Sequence, residues 1–139
     1  MKLRQLMRRV GRLYDAELAK AGLKVTQYSL LTCVLKRGPM RPVDIARLMA
    51  LDASTLTRNL KPLVAAGWLT LKAGADGRSR SVSITTAGRA KRQEAQRHWR
   101  VAQETLNEAM GLERVAAFHA LADDWMERLT PAEPGDGDD

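Results

Sequence analysis

Residues 54–64 of this 139-residue chain, Ser-Thr-Leu-Thr-Arg-Asn-Leu-Lys-Pro-Leu-Val, carry groups suited to reading a polyanion. At about 100° per residue, Leu56, Leu60, Leu63 and Val64 share one side of a helix and must pack inward. Ser54 and Arg58 point directly away from it. Thr55, Lys61 and Pro62 lie beside them, with Thr57 and Asn59 on the flanks. An arginine donates two hydrogen bonds to guanine and an asparagine pairs with adenine. Hydroxyls hold phosphate or a base edge, so this face suits a DNA major groove. Alone, it also fits an ordinary solvated helix. A second cluster changes the balance. The segment Ala73-Gly-Ala-Asp-Gly-Arg-Ser-Arg80 lies between two alternating runs and reads as a hairpin loop whose tip carries Arg78, Ser79 and Arg80. Such a tip probes a minor groove and its flanking phosphates. Asp76 is out of place on an anion-binding tip and is expected to brace Arg78 or a nearby cation.

Other reactive side chains offer less. Cys33 lies among Leu30, Leu31, Val34 and Leu35, which reads as a buried, inert thiol. A single cysteine forms no internal disulfide framework and no Cys-rich zinc site. His98 and His119 fall on different helices, and His119 with Asp123 gives two ligands without a third, so no metal is expected. A Gly-rich phosphate loop and a Ser/His/Asp constellation are both missing from the sequence, which points to no enzyme and no cofactor.

Charge agrees with a phosphate partner. The formal net charge is +7, but residues 131–139 hold four acids and no base. Without them 23 Lys and Arg face 12 Asp and Glu, a net of +11, and a body that basic meets phosphate or an anionic surface. With 3 Trp, 2 Tyr and 1 Phe, a surface that stacks bases on rings is not expected. No apolar run approaches the roughly 18 residues of a membrane span. The basic start Met1-Lys-Leu-Arg runs into further arginines, so the expectation is a cytoplasmic protein with no signal peptide.

The elements that must position these groups follow from periodicity. Leu3, Leu6, Met7, Val10, Leu13, Tyr14 and Leu18 mark an amphipathic helix ending at Gly22, with Arg4, Arg8, Arg9 and Arg12 on much of its remainder. Thr26 is expected to cap a second helix reaching about Lys36, and Gly38-Pro39 stops it. Pro42 opens a short third helix. Ala50-Leu51-Asp52 then turns into a fourth, capped by Asp52 or Ser54 and stopped at Gly67, which makes a helix-turn-helix candidate. Strands are expected over 68–72 and 81–85. A long helix capped by Thr85 or Thr86 follows, then a last helix carrying Leu112, Val115, Phe118, Leu121, Ala122, Trp125, Met126 and Leu129. The fold class is mainly α with a small β-hairpin wing, a winged helix-turn-helix. Residues 131–139 are expected to form a disordered acidic tail.

This order of elements resembles the MarR family of bacterial transcription regulators over about residues 1–130. The wing motif is the most specific part: Asp76-Gly-Arg78-Ser79-Arg-Ser-Val82-Ser-Ile84-Thr85, with Gly88 following. The run from Ser54 through Gly67-Trp68-Leu69 is similar to the family's recognition helix and its exit. Arg41 departs from the pattern, standing where the family often has Thr or Ser to cap the third helix; it can instead reach phosphate. The resemblance implies a single domain over 1–130, with a winged lobe at about 26–86 and intertwined dimerisation helices at about 1–22 and 87–130. It implies a homodimer on double-stranded DNA, placed on a pseudo-palindromic operator as a repressor. A small anionic or phenolic effector binding between the lobe and the dimer helices would release it. Tyr14, Cys33, Trp68 and Trp99 are candidates to border that pocket. In oxidant-sensing relatives the reactive thiol lies in the first helix, which Cys33 does not match. Independently, the first and last helices carry more apolar surface than one small monomer can cover. A sequence-indifferent architectural DNA-binding protein and a thiol- or metal-responsive regulator are the competing readings.

Overall fold

The structure is a computed structural model and describes residues 1–74, 76–77 and 79–130. The expectations for Arg78 and for the 131–139 tail lie outside the described residues. In order, the elements are α1 (Lys2–Leu18, continued by a 3-10 turn at Ala19–Ala21), α2 (Val25–Arg37), α3 (Pro42–Met49) and α4 (Ala53–Ala65). Then come β1 (Leu69–Ala73), β2 (Arg80–Ile84), α5 (Thr86–Met110) and α6 (Leu112–Leu129). The fold is mainly helical with a two-stranded antiparallel wing, paired from Leu69↔Ile84 to Ala73↔Arg80. Met40 adds a bridge to Val82, with its N–H donating to the Val82 carbonyl at 3.0 Å. The described chain divides into two compact units, 1–102 and 103–130, with the boundary inside α5.

The first unit is built around apolar side chains from every element of the lobe. Leu18, Leu30, Leu31, Val34, Ile45, Leu63, Leu69 and Val82 are fully buried, with Leu56, Leu60 and Ala95 in the same cluster. Helix α4 contributes Leu56, Leu60 and Leu63 at i, i+4 and i+7, so burying one stripe fixes which face looks outward. Val64, expected on the same stripe, is instead exposed, because it lies at the stripe's edge beyond Leu60.

Several boundaries differ from the sequence expectation for tertiary reasons. Helix α2 begins at Val25 and Thr26 does not cap it. The Val25 N–H is taken by the Asp15 carboxylate of α1 at 3.0 Å, and the Lys24 N–H by the Gln27 side chain at 3.0 Å. Both strands begin one residue away from the expected limits. Trp68 still belongs to the exit of α4, its N–H donating to the Leu63 carbonyl at 3.0 Å past a left-handed Gly67 (φ 79°). Thr85 serves as the N-cap of α5: its hydroxyl accepts from the Gly88 N–H at 2.9 Å and donates to the Gly67 carbonyl at 2.6 Å. Any Cβ at Gly88 would collide with the Trp68 carbonyl oxygen, so only glycine lets α5 seat this closely on the wing stem.

Candidate nucleic-acid interface

The helix-turn-helix turn is set by two backbone devices. Ala50 adopts a left-handed conformation (φ 54°) that ends α3, and the Leu51 N–H closes onto the Ala46 carbonyl at 2.9 Å. Asp52 then caps α4. One carboxylate oxygen accepts the Thr55 N–H and the Ser54 hydroxyl, both at 2.7 Å. These bonds, the backbone one first, hold its carboxyl down to about 2. The negative charge also favours the positive end of the α4 dipole. Ser54 therefore faces outward as an acceptor, its proton already committed to Asp52.

The remaining α4 candidates divide by what the helix already uses. Arg58 and Lys61 are exposed on the face opposite the buried leucines. The Arg58 guanidinium makes one long bond to the Thr55 hydroxyl at 3.4 Å, which leaves most of its donor fork outward. Thr57 is exposed but donates its hydroxyl back to the Ala53 carbonyl at 2.9 Å. Asn59 is half-buried, with an amide hydrogen committed to the Thr55 carbonyl at 2.9 Å, and Thr55 is half-buried beside it. The side chains freest to meet a groove are Arg58 and Lys61, while Ser54, its proton given to Asp52, can still accept a hydrogen bond.

In the wing, Asp76 accepts the Ser79 N–H at 3.0 Å and the Ser79 hydroxyl at 2.9 Å, so its carboxylate closes the loop through Ser79. Arg80 opens β2 and is exposed. Lys72, not singled out from the sequence, is an exposed cation opposite Ser81 in the same hairpin; its strand alternation was the available signal. Arg41 sits at the N-cap position of α3 without a side-chain cap. Its guanidinium pairs with Asp44 at 3.0 Å, and that hydrogen bond raises its pKa.

The four pocket candidates do not all meet. Cys33 and Trp99 help line a cavity of about 330 Å³ between α2, α3 and α5, with Tyr28, Thr32, Lys36, Arg37 and Met49 among its other walls. Trp99 stacks on Tyr28 (6.5 Å between centroids, 23°). Tyr14 touches Trp99 at 6.0 Å but is not part of the lining. Trp68 lies elsewhere, at the wing stem, with Lys91 5.1 Å above its ring. Cys33 is half-buried rather than buried, 3.7 Å from the Met40 sulfur. Burial pushes its thiol up, with Arg37 offsetting part of the effect, which keeps it protonated and a poor nucleophile near neutral pH. His98 faces Glu17 at 3.8 Å, and His119 lies edge-on to Phe118. Among the described residues no three His, Cys, Asp or Glu side chains gather as a metal site, and no helix is long and apolar enough to cross a membrane.

An acid-strengthened cap gives a pH test. The Asp52 carboxyl is lower in the folded state than its ordinary 3.8, so it stabilises the fold above that value; the contribution fades as pH falls toward about 2. In thermal unfolding from neutral to acid pH, Asp52→Asn should flatten that part of the profile. An acid limb identical to the parent's would remove the cap's role.

A buried-stripe helix following a tight turn, then a cationic hairpin, defines a winged helix-turn-helix DNA-binding protein. The match to known proteins narrows this. Residues 23–79 match the MarR family. Over 93 residues the chain is 30% identical to the uncharacterized HTH-type transcriptional regulator YwoH of Bacillus subtilis, covering 67% of this chain and 68% of that one. Among solved structures, MosR of Mycobacterium tuberculosis in complex with DNA superposes with a TM-score of 0.76 at 30% identity, covering 94% and 96% of the two chains. A probable transcriptional regulator from Pseudomonas aeruginosa gives 0.80 at 27%, covering 88% and 92%. A mutant Escherichia coli MarR complexed with operator DNA shares the fold, with a TM-score of 0.80 at 21% identity over 93% and 91% of the two chains. The chain belongs to the MarR family and is a DNA-binding transcriptional regulator, not an enzyme.

Proposed function

We propose that this regulator is a homodimeric, cytoplasmic repressor that reads a pseudo-palindromic operator and is released by a small anionic or phenolic ligand. The reading rests above all on the outward-facing pair Arg58 and Lys61 on a helix whose opposite stripe is buried. Arg58 and Ser54 read base edges, with Thr55, Thr57 and Asn59 supporting them. Lys61, Arg41, Arg78, Ser79 and Arg80 hold phosphate. MosR and the Escherichia coli MarR mutant, each solved on DNA, support the same use of the fold.

The dimer is supported by apolar surface that each unit leaves uncovered. On α1, Leu3, Leu6 and Met7 are exposed; on α6, Leu112, Phe118, Leu121, Trp125, Met126 and Leu129 are. A two-fold dimer repeats the recognition helix, which suits two half-sites one helical turn apart. The cavity beside Tyr28 and Trp99, with Lys36 and Arg37 on its wall, suits an anionic ring compound. A ligand that binds it better in one spacing of the two α4 helices would shift the dimer away from the DNA-matched spacing.

The test begins with genomic fragments retained by the purified protein, then compares a retained duplex with its scrambled version at one stated salt concentration. Preference for the retained duplex supports the repressor reading; equal affinities make the protein a sequence-indifferent DNA coat. Arg58→Ala should cost about 1–3 kcal/mol of operator affinity and relax discrimination. Unchanged discrimination would take base reading away from Arg58.

A further inference from the structure

Helix α1 carries four arginines that the fold itself does not use. Arg4, Arg8, Arg9 and Arg12 are all exposed, and among the described residues none of them takes part in an ion pair. Arg4, Arg8 and Arg12 recur every fourth residue. They therefore stand about 6 Å apart in a row within roughly 80° of the helix surface. Opposite that row runs the apolar stripe of Leu3, Leu6, Met7 and Val10.

Local energetics work against this arrangement. Like charges at i, i+4 weaken a helix, and cations in the first turn oppose its dipole; α1 has no acid in that turn. Elsewhere some helical cations find an acid one turn away, as Lys91 does with Glu94 at 3.0 Å and Arg128 with Asp124 at 3.0 Å; in α1 no acid stands within a turn of Arg4 or Arg8. A row that weakens the element bearing it has its use outside the fold.

Where α1 is held also matters. Its anchors are near its end: Tyr14 on Trp99, Asp15 on the Val25 N–H, and the buried Leu18. Residues 1–9 are exposed throughout, so Arg4 and Arg8 stand clear of the packed end of α1, and Arg12 is exposed beside it. An interfacial lipid helix sinks its apolar stripe and its flanking cations into one membrane surface. Here the stripe is the surface a second copy covers, and the arginines are on the other side. What fits the remaining face is a polyanion that needs no apolar contact.

We infer that the Arg4–Arg8–Arg12 row of α1 is a second duplex-binding surface, one that takes the phosphate backbone of a DNA segment other than the one read by α4. This rests on the reading of the chain as a dimeric duplex-binding protein. The two-fold axis of such a dimer would present two rows, and each dimer seated on one duplex could hold another.

The experiment uses the full chain and two mixed-sequence duplexes, one on beads and one free and fluorescent, at about 50 mM salt. The parent protein should load the bead duplex and retain the free one. The triple variant R4Q/R8Q/R12Q should load the bead duplex within about twofold of the parent but retain at least about tenfold less of the free duplex. The salt slope of that second capture should fall by about 0.9 for each phosphate no longer neutralised. Removing the repulsion should leave the variant's melting temperature unchanged or higher and its dimer intact. Equal capture of the free duplex by parent and variant overturns the inference while leaving operator reading in place. So does a lowered melting temperature or a dissociated dimer, which makes the row structural. Loss of binding to phosphatidylserine vesicles with duplex capture unchanged reassigns the row to lipid and likewise overturns it. Failure of the parent to load the bead duplex removes the duplex-binding reading itself, and this inference with it.

Discussion

Leu63→Ala should destabilise the winged lobe by about 2–5 kcal/mol. Leu63 is fully buried in α4, in the cluster that also holds Leu30 and Leu31 of α2, Ile45 of α3, Leu69 of β1 and Val82 of β2. Truncating it removes apolar burial and leaves a cavity at the point where helix-turn-helix and wing share one core. Its carbonyl still accepts the Trp68 N–H, so the backbone exit of α4 is intact and the loss isolates side-chain packing. The neighbouring Val64, exposed to 37%, makes the control: Val64→Ala should stay within about 0.5 kcal/mol. Urea denaturation of both variants measures this. A Leu63→Ala loss below about 1 kcal/mol would mean that the orientation of Arg58 and Lys61 is not fixed by that stripe.

That pair of variants also shows how far the sequence carried. The 3.6-residue period placed α4 and named the side that must be buried, since three leucines at i, i+4 and i+7 admit only one solution. It could not place the stripe's edge, and Val64 lies there. The wing was legible because alternation around a glycine-bearing loop has few other readings. Its limits were not, since Trp68 and Thr85 serve the neighbouring helices through bonds to Leu63, Gly67 and Gly88. The start of α2 was missed because the cap comes from Asp15, ten residues upstream on another helix. The turn before α4 carried no glycine signal because Ala50 takes the left-handed conformation itself.

Among the candidate site residues, types and faces were legible, and hydrogen-bond commitments were not. Ser54, Thr57 and Asn59 look alike in the sequence as polar groups on an outward helix. In the structure each is already engaged, with Asp52, the Ala53 carbonyl and the Thr55 carbonyl respectively. Arg58 and Lys61 escape this because their side chains outreach the helix surface. Of the aromatic candidates, Trp99 reaches the cavity because α5 crosses α2 at Tyr28, while Trp68 is held at the wing stem by its place in the chain.

In the dimer proposed above, Trp125→Asp should separate the two copies and lower affinity for the proposed operator by at least about 100-fold, the gain that linking two half-site contacts confers. On α6, Phe118, Leu121, Trp125, Met126 and Leu129 lie on one face, and Trp125 is 54% exposed in the single chain. A tryptophan on such a face is a strong candidate to carry much of an interface's energy. An aspartate there would have to leave water without a partner as the second copy closes over it. The opposite face supplies the control: Glu127 is exposed and acidic, and Glu127→Ala should leave the dimer intact. Sedimentation reads the assembly state, and anisotropy on full-site and half-site duplexes reads the coupling. The variant should bind a half-site as the parent chain does and lose the full-site advantage. If it remains a dimer with full-site affinity, the α6 stripe is not the surface that pairs the two recognition helices.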